Sequence, residues 1–141
     1  SQNMPSLVSN QATERTLRRL LRAEGYSVSR EKGTGKNGAD IIAERKSERL
    51  FIEVIGHKSN PPVRSRDFYE SFFRAVSRLH QGARRCVIAM PSLAARGLPS
   101  RARHYGAAWR RIGTAFPELE IWLVDTRCSS YSRSRWNDWI G

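Results

Sequence analysis

Lysine, cysteine, acid and long apolar runs are all scarce in this chain, and each scarcity narrows what it can be. Only Lys32, Lys36, Lys46 and Lys58 are lysines among 25 basic residues, so arginine carries nearly all the positive charge. Cys86 and Cys128 lie far apart and lack metal-ligand spacing, so no disulfide framework is implied and a reducing cytoplasm is expected. Cys86 falls inside the apolar run Cys86-Val87-Ile88-Ala89-Met90 and reads as a buried thiol. No apolar run approaches the length that crosses a bilayer, and no signal peptide is expected ahead of the first helical pattern. Acids number 13, which leaves a formal charge of +12. That balance predicts affinity for a polyanion, with nucleic acid ahead of an anionic membrane. A GC-rich genome also favours arginine, but its planar fork suits phosphate and the charges here cluster.

What is present centres on residues 38–58. Ala39 to Ala43 and Arg49 to Ile55 are two β-branched runs joined by the polar segment Glu44-Arg45-Lys46-Ser47-Glu48, the pattern of a hairpin. Strand parity puts Leu50, Ile52 and Val54 on one face and Phe51, Glu53 and Ile55 on the other. Asp40 and Glu53 are thus carboxylates among apolar neighbours, which a hairpin can bring together. Two such acids repel and resist burial unless a cation lies between them, and a hard divalent ion with oxygen ligands suits the role.

Around these residues the chain resembles the PD-(D/E)XK nuclease superfamily, and within it the small archaeal-type Holliday-junction resolvases and restriction-endonuclease-like proteins. The resemblance rests on Gly38-Ala39-Asp40-Ile41-Ile42, twelve intervening residues, and Glu53 on an apolar strand. It implies a domain over residues 10–125 with magnesium or manganese held by Asp40, Glu53 and a first-helix acid, here Glu14. It also implies a lysine two positions after the second acid, but Ile55 stands there. Lys58 from beyond Gly56, Lys36 from its loop, or His57 as a base are the available substitutes. A helix glutamine that supports the metal in such proteins is matched by Arg74.

In chain order, residues 1–9 are expected to be disordered, with Ser1-Gln2-Asn3 ahead of Met4 reading as a cloning remnant. A helix over Asn10 to Glu24 carries Leu17, Leu20 and Leu21 on its apolar stripe, with Glu14 on the same side. Glu14 reads equally as a first-turn acid near an Asn10 cap. Arg15, Arg18 and Arg22 fill the remainder and are candidate nucleic-acid contacts, with Lys32, Lys36, His57 and Lys58. The loop Lys32-Gly33-Thr34-Gly35-Lys36-Asn37-Gly38 lacks the Gly-Lys-Ser/Thr start of a nucleotide-hydrolysing loop. It is either a solvated turn or a clamp for a nucleic-acid backbone. A second helix over Ser65 to His80 buries Phe68, Phe72, Ala75, Val76 and Leu79, with Arg74 and Arg78 pointing elsewhere. A strand over Arg84 to Met90, a helix over Ser100 to Phe116 and a strand over Leu119 to Asp125 follow. In the helix, Tyr105 and Trp109 belong to a core-facing stripe. Residues 126–141, rich in Ser and Arg with Tyr131, Trp136 and Trp139, either stack on unpaired bases or latch onto the domain.

The fold class is α/β with a mixed sheet, its core ordered α-β-β-β-α-β and helices on both sides. The function read from residues and resemblance is a divergent metal-dependent endonuclease acting on DNA, impaired by the missing lysine. The alternative is a catalytically inactive nucleic-acid-binding module of the same fold. A basic protein-interaction domain with structural acids is the third reading. The oligomeric state stays open, a homodimer included.

Overall fold

The computed structural model describes residues 6–31 and 38–141. Lys32 and Lys36 lie outside them. The sheet grows from the expected hairpin: β3 (Ile41–Arg45) pairs antiparallel with β4 (Glu48–Val54) across the two-residue turn Lys46-Ser47, where Lys46 takes φ 56°. The edge strand β2 (Ser27–Val28) flanks β3, while β6 (Cys86–Pro91) and β7 (Leu119–Asp125) continue beyond β4 in parallel. Antiparallel β8 (Ser130–Arg135) closes the six-stranded order β2-β3-β4-β6-β7-β8.

Parallel neighbours need crossovers, and these supply one of the two helical layers, the other being the first helix, ahead of the sheet. On one face, α1 (Asn10–Ala23) sets Leu17 and Leu21 against Leu50, Ile52, Val54, Val87 and Ala89. On the other, α2 (Pro61–Ser77), α3 (Leu98–Tyr105) and α4 (Ala107–Ala115) cover Phe51, Cys86, Ile88 and Met90. The parity expected for β4 is therefore the parity observed. Burial pushes the Cys86 thiol up to about 11, the state of an inert core sulfur.

Several elements depart from expectation. The cap of α1 is Ser9, whose hydroxyl accepts from Ala12 N–H, one residue before the expected Asn10. The helix expected over Ser100 to Phe116 breaks at Gly106, which adopts φ 48°. The break releases Tyr105 from the core stripe, and it is exposed with its hydroxyl bonded to that of Tyr69. Of the roles left open for the C-terminal segment, packing is observed. It forms β8 and then a 3₁₀ turn (Trp136–Trp139) that buries Trp136 against Trp109, so the sheet continues past residue 125.

The segment before α1 is also structured: β1 (Ser6–Val8) pairs with β5 (His57–Lys58) in a separate two-stranded ribbon. Gly56 permits this meeting. A Cβ there would lie 2.6 Å from Val8 O and 2.7 Å from Asn10 N, both backbone atoms that cannot rotate away. Gly56→Ala is therefore expected to cost about 1–3 kcal/mol, read as a lower denaturation midpoint. An unchanged midpoint would show that the ribbon yields freely.

Candidate active-site cleft

Asp40 and Glu53 reach one cleft from adjacent strands. Asp40 immediately precedes β3, and its Oδ2 accepts the backbone N–H of Val54 at 2.8 Å, tying it to the end of β4. Glu53 lies one residue earlier on β4 and is 2% exposed. The cleft holds about 190 Å³, and Ile55, Lys58, Glu70 and Arg74 complete the part of its wall that bears on chemistry. The chain running on from β4 through Gly56 carries Ile55 and Lys58 to the site. The lysine's Nζ is 3.1 Å from Asp67 Oδ2.

The buried charge of Glu53 is met by a residue that was expected to point away. Arg78 Nε donates to Glu53 Oε2 at 3.0 Å, and the arginine is only 12% exposed. Its position was encoded: Ser71 and Ala75 are buried on α2, and Arg78 follows Ala75 by three residues, so it continues the inward stripe. The resemblance directs attention to Arg74 instead. Arg74 does line the cleft, paired with Glu70 at 3.5 Å, but its side chain is largely solvated.

Glu14 does not join the two acids. Helix α1 packs on the sheet face of Leu50 and Ile52, whereas Phe51 and Ile55, sharing the parity of Glu53, face α2. Glu14 instead accepts from Arg18 Nε at 2.8 Å, one helical turn away. Arg18 is corrected as well: it is 3% exposed and unavailable to an external phosphate. Its guanidinium donates to the carbonyls of Ser29 and Asp40, riveting α1 to the chain just ahead of β3, where the first acid sits. Arg15 and Arg22 are exposed, as their proposed contact role requires. His57 lines a neighbouring cavity that shares Ile55 and Gly56 with the cleft. Loss of water and the nearby Arg64 lower its pKa below the ordinary imidazole value.

Set against known proteins, residues 7–107 match the family model Mrr_cat, described as restriction endonuclease. The chain belongs to the restriction endonuclease family. Its fold is similar to that of an XisH family protein from Nostoc punctiforme PCC 73102, with a TM-score of 0.58 at 14% identity, covering 88% of this chain and 98% of that one. No curated protein matches.

Members of this restriction endonuclease family usually employ a divalent metal. The donors expected here, Asp40 and Glu53, are already engaged by groups of the chain itself. Among the described residues no group of three or more His, Cys, Asp and Glu side chains is placed to share an ion. Of the four acids that line the cleft, Glu53, Asp67 and Glu70 each have a basic partner, Arg78, Lys58 and Arg74, and Asp40 accepts from the Val54 N–H. Guanidinium and ammonium groups supply the countercharge that an ion would otherwise bring.

Proposed function

We propose that this restriction-endonuclease-family domain binds DNA without hydrolysing it at the ancestral site. The observation that carries the reading is the Arg78–Glu53 pair, which engages the second acid with a permanent cation. Ile55 in place of the lysine supports it, since an isoleucine can neither orient a water nor stabilise developing charge on phosphate. The partner follows from the charge of +12 on a nuclease scaffold, with exposed Arg15 and Arg22 and the cleft residues Lys58 and Arg74 as contacts. Contact is mainly with phosphates, which fixes position but not sequence. If about five phosphates are neutralised, affinity for duplex DNA falls with salt at a log–log slope near −4 to −5.

Metal-dependent cleavage is the rival reading, and one observation favours it: Lys58 lines the same cleft as Asp40 and Glu53. A joint assay separates the two. The protein should retain duplex and branched DNA on a filter with the stated salt slope, yet leave it uncut in millimolar magnesium or manganese. Ile55→Lys should also leave it uncut, because Arg78 still holds Glu53. Cutting by the natural sequence that Asp40→Asn and Lys58→Ala both abolish would establish the rival. Cutting gained by Ile55→Lys alone would show the lysine to be the sole deficit.

A further inference from the structure

A second cavity, of about 450 Å³, shares Ile55 and Gly56 with the acidic cleft but differs from it chemically. Its floor is apolar: Phe68, Met90 and Leu98 are all at least 95% buried. Its rim is cationic, with Arg64, Arg96 and Arg101, and among the described residues no carboxylate lines it. Arg101 lies over the Phe68 ring at 4.8 Å, so one guanidinium belongs to both floor and rim. At the mouth, Leu93 is 41% exposed, an apolar side chain left in water.

We propose that this cavity receives an unstacked nucleobase from a DNA strand whose neighbouring phosphates lie on the arginine rim. The assignment rests on the DNA-binding reading above and gives it a substrate class: DNA with a bulge, gap or frayed end. An apolar floor with an all-cationic margin matches a ligand that joins a flat, weakly polar body to anions on its flanks. A fully paired duplex keeps its bases stacked and reaches the rim alone. Binding there recovers unstacking energy, so bases already unpaired are favoured. The volume lies within the range of about 300–1,000 Å³ usual for small-molecule sites.

Gly97 provides the test. It lines the cavity, its φ is negative, and a Cβ built there meets nothing within 4 Å. Gly97→Leu therefore adds an apolar side chain at the cavity wall without backbone strain. The probes are one duplex and the same duplex carrying a two-nucleotide bulge, compared by affinity at a fixed salt concentration. The natural sequence should prefer the bulged DNA by about ten-fold or more, the scale of one base held by stacking and burial. Gly97→Leu should erase that preference while leaving duplex affinity and the salt slope in place. Leu93→Ser, on the exposed mouth, is the second variant should the first fail to fold, and it should reduce the preference. Equal affinity of the natural sequence for both probes, or a preference that survives both substitutions, overturns the cavity assignment alone. Binding to neither probe overturns the DNA reading and takes the cavity assignment with it.

Discussion

Arg78→Ala should lose about 3–5 kcal/mol of stability, because it strands a carboxylate that is 2% exposed. For a chain of this size that is a fall of roughly 10 °C or more in the melting temperature. Adding Glu53→Gln removes the stranded charge, and the double variant should recover much of the loss. Arg74→Ala is the control: that pair is solvated on both sides, and the change should stay within about 0.5 kcal/mol. Manganese extends the test. If Arg78 supplies the countercharge for Glu53, millimolar manganese should raise the melting temperature of Arg78→Ala more than that of the natural protein. A natural protein that gains several degrees from manganese by itself would refute the substitution of arginine for metal.

Trp136→Ala should be comparably severe, at about 3–5 kcal/mol. Trp136 and Trp109 stack with centroids 3.9 Å apart, and Phe68 lies parallel to Trp109 at 6.0 Å. The indoles are also joined reciprocally: each Nε1 donates to the other's backbone carbonyl, at 3.0 and 2.8 Å. Alanine therefore removes a buried ring and the indole's bond to the Trp109 carbonyl, while Trp136→Phe keeps the stack and loses only that bond. Limited trypsin digestion supplies a local reading, since Arg133 and Arg135 flank the seam and should be cut first in the alanine variant. A melting temperature within a degree or two of the natural protein's would show that the C-terminal segment contributes little.

The sequence made the central hairpin legible because strand parity is a strict rule. Once residues 49–55 are read as a strand, the division of Leu50, Ile52 and Val54 from Phe51, Glu53 and Ile55 follows, and both faces are buried as expected. It was less informative where geometry depends on one backbone angle. The periodicity across Tyr105 and Trp109 is genuine, but the φ of 48° at Gly106 rotates the two halves of the helix apart. The site was half legible. Asp40 and Glu53 carry the family pattern, and Lys58 reaches the cleft. Glu14 was misplaced because helical periodicity marks an inward face without saying which side of the sheet the helix covers. Arg18 and Arg78 were read as surface cations because arginine is rarely fully buried. Each is drawn in by acceptors distant in sequence, the Asp40 carbonyl for one and the Glu53 carboxylate for the other.

The margins of the sheet bear on self-association. An exposed edge invites a second chain to continue the hydrogen-bonded ladder. Here one margin is β2, only two residues long, and the other is β8, which carries Arg133 and Arg135 among serines. Two copies laid β8 to β8 would bring like-charged arginines face to face. Any dimer of this protein should therefore be sought through its helices, and concentrated solutions should resist fibril growth through the sheet.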